Sequence, residues 1–159
     1  MKVKRIGNHT LPVPARATPD AAGLDLRNAG PRVVVPCAWG GRFKSGKFVY
    51  DPDRRDVVNI PTGFAVEIPT GYEGAVRGRS GLASRYGVIV LQTGTIDADY
   101  RGGVRVLLIN HGFTDVIIDH GDRIAQLVVS PVALVDCEES DELTETQRGA
   151  AGFGSTGRT

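Results

Sequence analysis

Little in this chain could build a metal centre, a helical bundle or a membrane span. Its two cysteines, Cys37 and Cys137, stand a hundred positions apart. Neither belongs to a C-x-x-C pair or lies near histidine at ligand spacing, so no zinc site is legible. They are expected to be buried apolar thiols in a reducing cytoplasm. Only three histidines occur, His9, His111 and His120, and no Ser/His/Asp set for nucleophilic catalysis is visible around them. They are expected to be structural or on the surface. No apolar run approaches the ~18 residues of a membrane-spanning helix. The basic start, Met1-Lys2-Val3-Lys4-Arg5, leads into Ile6-Gly7-Asn8-His9-Thr10 rather than an apolar stretch, so no secretory leader is predicted and a cytoplasmic location is expected. Charge of one sign is lacking too: 19 Lys+Arg against 18 Asp+Glu leave +1 over 159 residues. Global electrostatics thus give no case for nucleic acid or membrane as a partner.

Helical periodicity is nearly absent. What is present is arginine, 15 of the 19 basic residues, and 21 glycines, about twice the ordinary share. Short β-branched runs between Gly, Pro and Asp predict an all-β sandwich or barrel in one domain. Expected strands are Lys2–Ile6, Gly23–Arg27, Arg32–Pro36, Val57–Pro61, Phe64–Ile68, Glu73–Gly78, Val88–Gln92, Gly94–Asp97, Val104–Asn110, Val116–Ile118 and Arg123–Val135. Pro61-Thr62-Gly63, Pro69-Thr70-Gly71, Arg101-Gly102-Gly103 and Asp119-His120-Gly121-Asp122 are expected turns, and Ser80–Tyr86 the one helical turn. Phe43 to Phe48 predicts a hairpin turning at Ser45-Gly46, inside an extra loop at about 38–56. The barrel is expected over 1–137. An arm, 138–159, begins acidic and ends Arg148-Gly149-Ala150-Ala151-Gly152-Phe153-Gly154-Ser155-Thr156-Gly157.

Two motifs fail on context. Gly41 to Lys47 fits a P-loop, but Phe48 stands where Ser or Thr must hold magnesium, and Val49-Tyr50-Asp51-Pro52 cannot be the required helix. Gly152 to Gly157 fits G-x-G-x-x-G but follows no strand and opens no helix.

Five segments combine small residues with Arg, Ser and Asp: Ala21–Leu26, Gly78–Ala83, Gly94–Gly102, Gly121–Gln126 and Arg148–Gly157. Singly, each has a bland reading. Gly78-Arg79-Ser80-Gly81 can be an ordinary turn, and Asp97 and Asp99 beside Arg101 and Arg105 a surface ion-pair cluster. In this order, they resemble the five motifs of the trimeric dUTP pyrophosphatases, over nearly the whole chain.

The resemblance implies a jelly-roll β-barrel, a homotrimer with sites shared between subunits, and a C-terminal arm closing over each site. It implies Mg2+-dependent hydrolysis of dUTP to dUMP and pyrophosphate, limiting uracil in DNA and supplying dUMP for thymidylate synthesis. Asp97 matches the water-activating carboxylate. Gly94, Thr95, Ile96 and Tyr100 match the nucleoside hairpin, whose backbone reads uracil and whose tyrosine ring excludes a ribose 2′-hydroxyl. Arg79, Ser80 and Gly81 match the phosphate motif, and Gln126 would sit near the α-phosphate. Arg148 would pair with the γ-phosphate, Phe153 stack on uracil, and Gly154 and Ser155 cap phosphates. Asp25 matches an acid holding Mg2+ through water, the triphosphate being the main ligand. Asp122 and Arg123 are expected to form an inter-strand or inter-subunit ion pair. Gly78 replaces the family's usual proline, and Leu91-Gln92-Thr93 stands where an Asn is expected.

Two rivals come from other classes. A sister enzyme on the same barrel deaminates dCTP with a glutamate on the strand here reading Val104-Arg105-Val106-Leu107-Leu108-Ile109, which has no acid. A non-catalytic interaction module would use the long 38–56 segment for docking.

Overall fold

The structure, a computed structural model, describes residues 1–37, 57–91 and 94–151, together with the backbone of 42–44 and 47–49. Its elements are β1 (Lys2–Arg5), β2 (Gly23–Arg27), β3 (Val33–Val35), β4 (Arg42–Lys44), β5 (Lys47–Val49), β6 (Val58–Glu67), β7 (Tyr72–Arg77), α1 (Ser80–Tyr86), β8 (Val88–Val90), β9 (Thr95–Ile96), β10 (Gly103–Asn110), β11 (Val116–Ile118) and β12 (Arg123–Pro131). The expected all-β class is what is observed. Among the described residues, no helix is long and apolar enough to cross a membrane.

Two four-stranded antiparallel sheets carry the fold, in orders β1-β6-β10-β8 and β2-β12-β7-β9. Period-two alternation explains why they face each other. Along β10, Val104, Val106, Leu108 and Asn110 are buried while Arg105 is exposed. From the other sheet, Leu26, Val76, Ile96 and Leu127 join Ile60, Val66 and Val106 in one core cluster. Leu127 is fully buried in it. Leu127→Ala should therefore destabilise the protein by about 2–5 kcal/mol in urea denaturation, and a loss below about 1 kcal/mol would mean the sheets do not meet there.

Polar groups tie the loops to this core. Asn28 Nδ2 donates to the carbonyls of Pro31 (3.0 Å) and Asp119 (3.1 Å), while its Oδ1 accepts the Gly30 N–H at 2.8 Å. Asn110 repeats the device, with Nδ2 to Val35 (3.0 Å) and Thr114 (2.8 Å) and Oδ1 from Gly112 N–H (2.8 Å). Both are buried and satisfied, as buried amides must be. His9 is also structural: its ring meets Phe64 edge-on at 5.1 Å and its Nε2 bonds the Gly63 carbonyl. On the surface, the hydrogen bond and charge of Arg32 hold the Asp119 carboxyl below the usual carboxylate range. Both partners are exposed, so this pair contributes little to stability.

Three expectations are corrected. Pro61-Thr62-Gly63 is not a turn but the middle of continuous β6. Gly63 takes φ +75°, the β6–β10 register shifts between Gly103 and Arg105, and buried Thr62 donates its hydroxyl to the Val104 carbonyl. The chain thus bends without leaving the sheet. β12 ends at Pro131 rather than Val135, because its partner β7 begins at Tyr72, directly opposite. The cysteines are not buried: Cys37 is half-buried beside β3 and Cys137 is exposed beyond the last strand. The hairpin of β4 and β5 does pair Phe43 opposite Phe48, its turn Ser45-Gly46 lying outside the described residues. Helix α1 spans Ser80–Tyr86 as expected, ended by Gly87 at φ +70°.

Candidate active site

Edge strand β9 presents the first group. It pairs with β7 through Gly74↔Ile96 and Ala75↔Thr95, and the Val76 N–H donates to the Gly94 carbonyl at 3.2 Å. Ile96 points into the core, so Thr95 and Asp97 point outward. The Tyr100 N–H donates to the Asp97 carbonyl at 3.1 Å and closes the turn, which Arg101 braces by donating to the carbonyls of Ala98 (2.6 Å) and Tyr100 (3.0 Å). The Tyr100 hydroxyl donates to Gly103 O at 3.3 Å. A Cβ on Gly102 would lie 2.2 Å from that hydroxyl oxygen, so glycine there is what lets the ring lie where it does. Gly94, Thr95, Asp97, Tyr100 and Arg105 border a hollow of about 290 Å3.

Asp97 is exposed on this rim, and its carboxylate has no hydrogen bond or ion pair among the described residues. The surface ion-pair cluster considered for Asp97, Asp99, Arg101 and Arg105 does not form. Arg101 is engaged by carbonyls, and Arg105 donates to Asn59 Oδ1 at 2.6 Å and Asn59 O at 3.0 Å. An acid held on a braced turn with its oxygens open to solvent is placed to accept a proton from water.

A second group gathers where β2, β12 and β7 lie side by side. Asp25 of β2 is opposite Gln126 of β12, which is opposite Arg77 of β7. The approach needs Gly23, because a Cβ there would sit 2.8 Å from Gln126 Cβ. Arg123 Nη1 donates to Asp25 Oδ2 at 3.1 Å, Arg79 Nε is 3.9 Å from Asp25 Oδ1, and Arg79 Nη1 donates to the Arg123 carbonyl at 2.9 Å. Arg123 thus pairs with Asp25 and not with Asp122, whose Oδ2 instead accepts the Asp119 N–H at 2.8 Å. Arg79 is the N-cap residue of α1, so the Ser80 and Gly81 N–H groups have no intrahelical acceptor. Space above Gly81 is open. Arg27, Arg79 and Arg123 line one hollow of about 560 Å3, together with Asp115 and Asp122. Arg27 is not among the expected site residues, and the inter-strand ion pair expected for Arg123 forms between β12 and β2, with Asp25 as its partner.

Within one chain the two hollows share no lining residue. Arg148 lies apart from both, donating Nε to the Ala151 carbonyl at 2.9 Å within its own turn. Beyond Val132, the hydrogen bonds of the described residues stay within the arm. Gln92, Phe153, Gly154 and Ser155 lie outside the described residues.

Fold and rim together define an all-β protein of two packed sheets with one edge lined by arginines and another bearing an open acid. The chain belongs to the dUTPase family: the family model described as dUTPase matches residues 46–157. It is 47% identical over 161 residues to a deoxyuridine 5'-triphosphate nucleotidohydrolase of Anaeromyxobacter sp. (strain Fw109-5), covering 99% of this chain and 97% of that one. A protein of the same name from Anaplasma marginale (strain St. Maries) is 45% identical over 159 residues, covering 99% and 97%. Among solved structures, Staphylococcus bacteriophage 80alpha dUTPase with dUPNHPP is similar at TM-score 0.80 and 26% identity, covering 98% of this chain and 97% of that one.

Proposed function

We propose that this chain hydrolyses dUTP to dUMP and pyrophosphate by attack of water on the α-phosphorus. The observation that carries this reading is the exposed, unpartnered Asp97 carboxylate beside the hairpin hollow. Asp97 takes the proton of the attacking water as its oxygen bonds to the α-phosphorus. The bond from that phosphorus to the bridging oxygen breaks, and pyrophosphate leaves. The backbone of Gly94, Thr95 and Ile96 reads the uracil edge. Cytosine exchanges donors for acceptors there and would leave polar groups unpaired. Tyr100, 45% exposed, lies under the deoxyribose and excludes a 2′-hydroxyl. Arg79, Ser80, Gly81 and Gln126 hold α- and β-phosphate oxygens. Arg148 takes the γ-phosphate, Phe153 stacks on uracil, and Gly154 and Ser155 cap the phosphates as the arm closes.

A homotrimer of jelly-roll barrels with shared sites accounts for the separation of the two hollows: the hairpin of one subunit faces the arginines of another. Magnesium fits this arrangement as a passenger of the substrate. Among the described residues, no three His, Cys, Asp or Glu side chains cluster as a metal cage. Mg2+ keeps its waters and takes phosphate oxygens readily. When bound there, it neutralises charge on the leaving pyrophosphate. The product dUMP serves thymidylate synthesis, removal of dUTP limits uracil in DNA, and the enzyme acts in the cytoplasm.

A panel of dUTP, dTTP, dCTP and UTP with pyrophosphate detection tests the reading. dUTP should lead by about 10^4-fold in kcat/KM, the discrimination that unpaired buried polar groups produce. Comparable pyrophosphate release from dCTP or UTP would overturn it.

A further inference from the structure

We infer that Thr62 is a positioning residue for sugar selection: its buried hydroxyl fixes the bulge to which the Tyr100 ring is tied, and so sets how strictly the site rejects a ribose 2′-hydroxyl. The inference deepens the proposed dUTP reading and rests on it for the task of Tyr100. Between the pairs Gly103↔Ala65 and Arg105↔Pro61, the single residue Val104 stands opposite Thr62, Gly63 and Phe64. A bulge of this kind re-aims the residues beside it. Toward the N-terminal segment it is pinned by the Ile6 N–H at 2.8 Å and by His9 Nε2 at 2.9 Å, both on the Gly63 carbonyl. Toward β10 the Thr62 hydroxyl donates to the Val104 carbonyl at 2.7 Å, and both residues are buried. Valine would fill the same space, so what threonine adds is this bond.

Neighbouring carbonyls of an extended chain point opposite ways. Holding the Val104 carbonyl toward Thr62 therefore turns the Gly103 carbonyl the other way, where the Tyr100 hydroxyl donates to it at 3.3 Å. The ring is thus tied to the first residue of β10, one position before the residue that Thr62 holds. Tyr100 and Gly103 line both the hairpin hollow and a further one of about 500 Å3, which Pro61, Gly63 and Phe64 line from the bulge. A ring released from Gly103 has that space to turn into. Turning there takes it from under the deoxyribose and leaves the room that a 2′-hydroxyl needs.

The test measures kcat and KM for dUTP and UTP in the wild type, Thr62→Val, Thr62→Ser, Tyr100→Phe and the Thr62→Val/Tyr100→Phe double variant, with urea midpoints alongside. Thr62→Val should narrow the lead of dUTP over UTP in kcat/KM by about tenfold, the worth of one such bond, chiefly by lowering KM for UTP. Thr62→Ser keeps the hydroxyl and should hold the wild-type ratio. Tyr100→Phe cuts the tie at its other end and should narrow the ratio by a similar factor. The double variant should go no further than the larger single effect, because the two bonds act as one device. A Thr62→Val protein that is less stable and slower on both nucleotides at an unchanged ratio overturns the inference and leaves Thr62 a purely structural residue. If Thr62→Val does not fold, a wild-type ratio in Tyr100→Phe or a narrowed one in Thr62→Ser overturns it equally. A narrowed ratio in Tyr100→Phe with Thr62→Ser at wild type supports it. A wild type that hydrolyses neither nucleotide sinks the functional reading and this inference with it, whereas a wild type that prefers dUTP beside unmoved variants sinks this inference alone.

Discussion

Asp97→Asn should bind dUPNHPP as the wild type does and lose turnover by about a thousandfold, the usual worth of a positioned base. The amide keeps the shape of the carboxylate, and Asp97 donates and accepts nothing with its side chain among the described residues, so folding has nothing to lose. The turn is held by backbone instead, through the Tyr100 N–H and the two carbonyl contacts of Arg101. Single-turnover measurement at saturating dUTP separates the outcomes. A variant that binds and stalls identifies the base, whereas one with kcat within threefold or so of the wild type removes Asp97 from the chemistry.

Truncation before Arg148 should lower kcat/KM for dUTP by about a hundredfold while leaving the urea midpoint unchanged. After the Val132 N–H bonds the Gly71 carbonyl, the described residues of the arm join no sheet, and their hydrogen bonds close short turns such as Thr146 to Gly149. On the proposed reading, what the arm offers is an arginine for phosphate and, on closure, exclusion of water around a fixed attack geometry. The loss should fall mainly on kcat if closure orders the reacting groups, and mainly on KM if Arg148 serves only as a phosphate ligand. Undiminished turnover would remove the arm from the site.

The strands were legible because each is a short alternating run bounded by turn residues. Val104 to Asn110 alternates without exception between buried and less buried positions. The helical turn was legible because its seven residues stand between Gly78 and Gly87, where no alternating run exists. The β6 bend was not legible, since Pro-Thr-Gly spells a turn in any local reading. What keeps it in the sheet is the buried bond from Thr62 to Val104, 42 positions away. Asp97 and its hairpin stand out only through the resemblance of the five ordered motifs, since alone they read as a surface ion-pair cluster, and the pairing that makes β9 an edge strand joins it to β7 about twenty residues earlier. The partners of Asp25 could not be named, because they lie 54 and 98 positions downstream and only the fold brings them to it.

Asn28 and Asn110 touch no proposed substrate, yet each spends both amide protons on carbonyls and its oxygen on a loop amide. Loss of ammonia from either would exchange two donors for acceptors and set a negative oxygen against carbonyl oxygens in a water-poor interior. Chemical ageing of the protein at these two positions would therefore be felt as loosening of the loops they hold, with the reaction steps themselves left intact until the scaffold gives way.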